Sequence, residues 1–597
     1  MFVSMRSLAL LSLSLTATAL SGDVPLWGRN LSLAAPELAQ SAAIGNGRSF
    51  FYLGALLAVG EPEASRSARF QVSEEGSIEF QWALGLSLAE GLPALDRPAL
   101  AYYVGSEKHD PLATLAFSYY VFNGLTLGSS PWWRGTEAVP SLSREPQEGE
   151  VPLPLCQLTL RALQDVAEAA AMNEDGASDA ASDLNFFVQN ASEVRRLKKE
   201  HADWILARSR DGFKSAELSE AAYFIHGDAD LELRPDALRA AALLESAAAS
   251  SGEAAYLAML LQAREGDEEQ ILDKAQLVIQ DPKAPSMQKA MAQHYLHRFG
   301  GAANATLAGA YLLAAAQLGE PNAQQTLAHA YAGLGVSELS GVQVPGAPNT
   351  NRALHFYSLA AKQGRPVSAV NAVALMLRQP GEMTSTRCRK AAETLREVAL
   401  AYHPDVLQLY SRARKAALSD ASTPDALLAF TLLSELGAKN AHTNAAALAK
   451  ETQSLCWRPQ PACEIDYLRR AAWSGSTDAM LRLAALLQRT KDLEGGWRWT
   501  KRAEQAGSAE AKLAAGYLQA YGVGTEQDLS GACSAYCSFL REEEPLLARG
   551  LAFFQVLRLR LVSGDACCDL PDAGPWAPVG AMLAIVASTS AAAACLS

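Results

Sequence analysis

Apolar residues in this chain recur three and four positions apart in runs of about a dozen, the spacing that keeps one face of an α-helix dry. The runs come in couples. Residues 310–319 (AYLLAAAQLG) are followed by 322–331 (NAQQTLAHAY), and 353–364 (ALHFYSLAAKQG) by 368–375 (SAVNAVAL). The same couple returns at 467–475 (YLRRAAWSG) with 478–484 (DAMLRLA), and at 499–507 (WTKRAEQAG) with 509–517 (AEAKLAAGY). In each, an aromatic or leucine is followed by an alanine pair and then a glycine, where a helix C-cap requires positive φ. The second run repeats small-x-x-Leu-Ala/Gly-x-x-Tyr, in which small residues let two backbones approach. The turn glycines Gly319, Gly364, Gly437, Gly475 and Gly507 are 45, 73, 38 and 32 residues apart, a period in the thirties with insertions and one double interval. The fourth couple closes on Gly522-Val523-Gly524, with Asp528 placed to cap the next helix. A single couple cannot bury its own apolar face, so the pattern predicts an all-α solenoid of stacked helix pairs.

Composition and charge narrow this picture. The 597 residues are 49% hydrophobic but only 7% aromatic and are rich in alanine, which suits close helix contacts. A net charge of −13 argues against a dedicated nucleic-acid binder. The pattern divides the chain into a signal-peptide-like leader (1–21), an N-terminal repeat group (40–172), an acidic linker and helix (173–215), a middle group (216–415) and a C-terminal group (420–544). A juxtamembrane segment (545–572) and an uncharged tail (573–597) complete it. The leader has Arg6, a Leu/Ser/Ala run and small residues near Ala19, the three parts of a secretory signal. The tail is long enough to span a bilayer; a removable lipid-anchor signal and a frayed alanine-rich end are the competing readings. Residues 545–562 read equally as a last capping helix or as an amphipathic helix on a membrane or a ligase. Segments 135–154, 173–183 and 337–351 are turn-rich or acidic and read as loops.

Nine cysteines behind a leader suit an oxidising compartment. Cys456 and Cys463, bracketing a proline-stiffened loop, are the best local disulfide; Cys533 and Cys537, four apart on a helix, read as packed thiols. Asn30, Asn190 and Asn304 head glycosylation sequons. His294 and His297 have helical metal spacing without a third ligand and read as a surface pair. No zincin, nucleophile-elbow or P-loop pattern occurs, so no catalytic residue, metal or cofactor is expected.

The couples resemble the Sel-1-like repeat, a relative of the tetratricopeptide repeat, whose units end in the loop seen at Gly522, Gly524 and Asp528. Residues 99–124, 156–168 and 426–448, and the order leader, three repeat groups, membrane segment, are similar to the lumenal Sel-1-like adaptors of ubiquitin ligases in endoplasmic-reticulum-associated degradation. The resemblance implies a non-enzymatic scaffold with its repeats in the lumen and one membrane segment. Its partners would be a membrane ubiquitin ligase and an ER lectin or misfolded glycoprotein. A secreted or surface-anchored repeat protein with an unrelated partner is the alternative.

Overall fold

A computed structural model describes, with short breaks, residues 37–59, 68–72, 78–82, 97–123, 153–172, 191–451 and 461–563. The helix-pair solenoid expected from the repeat is the architecture observed. The chain forms two compact units, Met1–Ala441 and His442–Ser597.

The first unit begins with α1 (Gly47–Val59), a hairpin of β1 (Ala68–Val72) and β2 (Ile78–Trp82), α2 (Arg97–Glu107), α3 (Pro111–Phe122) and α4 (Leu153–Ala171). The antiparallel hairpin, with Phe70 opposite Phe80, departs from the all-α pattern. Its two strands alternate apolar and polar residues, the period of two that the helical reading passes over. Next come α5 (Ala191–Arg210), α6 (Lys214–His226), α7 (Ala237–Ala248), α8 (Gly252–Glu265), α9 (Glu268–Gln280), α10 (Ser286–Phe299), α11 (Ala305–Gln317) and α12 (Pro321–Ala332). The unit closes with α13 (Thr350–Lys362), α14 (Pro366–Arg378), α15 (Ser385–Tyr402), α16 (Pro404–Ala417) and α17 (Thr423–Glu435). From α5 to α17 every helix packs on the next in sequence.

One turn recurs and explains the pairing. Gly319 has φ of +101°; its N–H reaches Ala316 O at 3.2 Å, and Glu320 N–H reaches Ala315 O at 3.0 Å. This is a Schellman closure onto an alanine pair, whose small side chains lie buried in the seam. Glu320 then serves as N-cap of α12. The closure recurs at Gly364 on Ala360 and Ala361, and in the second unit at Gly475 on Ala471 and Ala472. There the following residue, Ser476, caps the next helix. One four-residue unit thus ends one helix and starts the next.

Among the described residues the N-terminal helices do not pack closely on α5, their neighbour in sequence. Instead α4 lies against α14 and α15, α3 against α15 and α16, and α1 against α17. Cys156 on α4 is bonded to Cys388 on α15, with Cα atoms 6.1 Å apart and 232 residues between them in sequence. Arg48 Nε donates to Asp110 at 2.6 Å and its guanidinium donates to Asp405 at 2.5 Å. Glu435 accepts from the hydroxyls of Tyr102 at 2.9 Å and Tyr120 at 2.6 Å, all three buried. Gly437 has no room for a side chain, since a Cβ there would come within 2.1 Å of the Tyr119 ring. Because α17 packs on α16 and α1, the first unit extends through Ala441, whereas the sequence pattern starts its last repeat group at residue 420.

The second unit contains α18 (Ala441–Glu451), α19 (Ala462–Trp473), α20 (Thr477–Arg489), α21 (Leu493–Gln505), α22 (Ala509–Tyr521), α23 (Leu529–Leu540) and α24 (Leu546–Ser563). From α19 onward they again pack in sequence. Of the two readings of residues 545–562, the capping helix is observed: α24 buries Ala552, Val556 and Leu559 against Tyr536, Phe539 and Leu540 of α23. Cys533 and Cys537 are each disulfide-bonded, which corrects the reading as packed thiols. Helical spacing shows that two thiols share a face but not that each is bonded to another sulfur. Among the described residues no helix is long and apolar enough to cross a membrane. The leader and the tail lie outside them.

Candidate functional site

A groove of about 740 Å³ in the first unit is lined mainly by α8, α10 and α12, the second helices of three successive pairs, joined by Ile225 of α6 and by Glu268 and Ile271 of α9. The contributions are periodic. Helix α8 offers Leu257, Leu260 and Leu261; α10 offers Met291, His294, Tyr295 and Arg298; α12 offers Asn322, Gln325 and Thr326. Each set is spaced i, i+3, i+4, so one narrow stripe of each of these three helices faces the same space. The groove is graded along its length. It is carbon-walled at α8, where the three leucines are only partly buried, and amide- and hydroxyl-lined at α12, next to Arg365 of the α13–α14 turn.

Hydrogen bonds beneath the floor hold these helices in place. Tyr256 of α8 donates to Glu320 Oε1 at 2.8 Å, and Asn322 Nδ2 donates to the same oxygen at 2.9 Å. Burial, with the Glu320 carboxylate beside it, pushes the Tyr256 phenol far above its usual range, so it stays a donor. Arg365 donates to Asn322, and Ser368 bonds Gln325 at 3.0 Å, tying α12 to α14. His294 is buried, not on the surface as its spacing with His297 suggested, and its Nδ1 lies 2.9 Å from the carbonyl of Ala308. Burial brings its pKa down to about 4, so the ring is neutral at ordinary pH and its Nδ1–H is the donor. His297 instead stacks on Tyr311, with ring centroids 5.4 Å apart. Among the described residues no group of His, Cys, Asp or Glu is arranged to hold a metal ion.

The remaining sequence-predicted residues are placed as follows. Gly319, Gly364, Gly437, Gly475, Gly507, Gly522 and Gly524 all have φ between +66° and +101°. Asn304 is exposed and is the N-cap of α11, its Oδ1 accepting from Thr306 N at 3.1 Å and Leu307 N at 3.0 Å. Asn30, Asn190 and Cys456 lie outside the described residues, as does the side chain of Cys463. None of these converges on the groove. Its leucines were visible in the sequence as the run Leu257 to Leu261, but nothing in a helical run marks which apolar flank stays open.

No family model matches the chain, and no curated protein matches it. Among solved structures it is similar to a protective antigen of uropathogenic Escherichia coli strains displaying an SLR fold. That match has 15% identity and a TM-score of 0.21 and covers 89% of this chain and 93% of the other. It is also similar to a Sel1 repeat protein from Oxalobacter formigenes, at 17% identity and a TM-score of 0.18, covering 62% of this chain and 94% of that one.

Proposed function

We propose that this protein is a non-enzymatic protein-binding scaffold, and that the groove across α6 to α12 holds an extended, partly apolar stretch of another polypeptide. The groove carries this reading: three helices, α8, α10 and α12, each present one short stripe, and apolar side chains stand partly exposed at one end of the floor. Such a floor rewards burial of apolar side chains at about 25 cal/mol per Å², and the amide and guanidinium groups at α12 suit a peptide backbone. In finer terms the protein acts as a lumenal adaptor of an endoplasmic-reticulum degradation ligase and recruits misfolded glycoproteins. The disulfide bonds at Cys156–Cys388, Cys533 and Cys537 support an oxidising compartment. The repeat motifs and the leader-like first 21 residues support the adaptor role.

Proximity labelling from the full chain in its source cell tests this reading. The expected result is a partner set containing ligase and degradation components, with client proteins depleted when Leu260→Arg blocks the groove. A set without degradation components contradicts the adaptor role. Clients unaffected by Leu260→Arg contradict the groove.

A further inference from the structure

A second concavity, of about 320 Å³, lies in the N-terminal helices, walled by α2, α3 and α4. Its floor is aromatic and aliphatic: the rings of Tyr103 and Phe117 sit 5.3 Å apart at 58°, beside Leu158. Exposed Glu107 of α2 and Arg161 and Asp165 of α4 stand on its rim, together with the exposed imidazole of His109 from the turn between α2 and α3. Arg161 and Asp165 are one turn apart on the same face, yet among the described residues neither they nor Glu107 form an ion pair. Burial and the Glu107 carboxylate push the Tyr103 phenol above its usual range, so its ring stays neutral beside the acids.

We propose that this socket receives a lysine or arginine side chain of a bound polypeptide. Three features converge on a long cation. The carboxylates of Glu107 and Asp165 outnumber the one guanidinium on a rim that also carries the imidazole of His109, the aromatic rings below attract a cation that loses water, and the methylene stem of Lys or Arg fits an apolar wall. The volume admits one such side chain with a few waters and no folded element. The socket uses no residue of the α6–α12 groove, so the inference stands apart from the reading of that groove.

The test uses the full chain and saturation-transfer NMR with N-acetyl-arginine methylamide as the probe and N-acetyl-norleucine methylamide as its uncharged counterpart. Saturation is expected at the arginine side-chain methylenes and not on norleucine. The double variant Glu107→Gln/Asp165→Asn should weaken arginine binding about fivefold, and Arg161→Gln should strengthen it about twofold, as expected for partly exposed charge pairs. All three side chains are exposed, so an unchanged melting temperature shows the fold intact. The groove variant Leu260→Arg should leave arginine binding as it was. Equal saturation of both probes, no saturation of arginine, or arginine binding indifferent to the double variant overturns the proposal.

Discussion

The seam from α8 to α13 and the seam that holds α1–α4 against α14–α17 lie in one unit and are built from different chemistry. Along the first, sequence neighbours are spatial neighbours and the contact is mostly carbon: Leu312, Ala315, Ala316, Ala323, Leu327 and Tyr331 are all essentially inaccessible to water, with a few buried hydrogen bonds such as Tyr256 to Glu320 and His294 to Ala308 among them. Along the second, helices separated by more than two hundred residues meet through a disulfide, an arginine between two aspartates, and a carboxylate between two phenols. The difference follows from chain entropy. A pair closed by a four-residue turn loses little freedom when it docks, so undirected apolar contact can carry most of the seam. A remote docking must close a long loop and choose one partner helix among many alike. Directional groups supply that choice, and a wrong register would leave them buried and unpaired.

If that contrast holds, the remote seam breaks first. Cys156→Ser opens a loop of 232 residues, and by loop entropy it should cost about 5 kcal/mol. Hydrogen exchange should show α1–α4 losing protection while α8–α13 keep theirs; uniform loss would erase the distinction. Glu435→Leu leaves the Tyr102 and Tyr120 hydroxyls without their shared acceptor and should cost about 3 kcal/mol, again confined to that seam. A change of that size is readable as a shift of the urea midpoint of the first unit.

The sequential seam has its own weak point in acid. Folding holds His294 neutral down to about pH 4, whereas the unfolded ring protonates near 6.5. Below pH 6.5 the unfolded chain therefore binds the extra proton, and stability falls as pH drops. The loss should reach about 2 kcal/mol at pH 5 and level off below pH 4. His294→Gln should flatten that limb of a urea-midpoint profile between pH 7 and 4. The smallest effect belongs to a turn. Gly319→Ala meets no atom within 4 Å, so only the positive φ of +101° is strained, and about 1 kcal/mol is expected from thermal melting.

Much of the sequential seam was legible in the sequence because its determinants are local. The alanine pair, the glycine and the following cap lie within six residues, as at Ala315 to Glu320. The remote seam was not legible. Arg48, Asp110, Asp405 and Glu435 carry no periodic signal, and a helical pattern around Cys156 gives no hint that Cys388 is its partner. The groove falls between these cases. The spacing of Leu257, Leu260 and Leu261 marks an apolar stripe, but only the packing of α6, α10 and α12 around it shows that the stripe is left uncovered.

Binding of a permanently unfolded polypeptide, reduced and carboxymethylated α-lactalbumin carrying a fluorophore, to the purified full chain by fluorescence anisotropy tests the scaffold reading most directly. The wild-type protein should bind it, and Leu260→Arg, which places a charge on the apolar floor, should weaken binding at least about tenfold with the protein still folded by circular dichroism. Equal affinity for both proteins, or no binding to either, would contradict it.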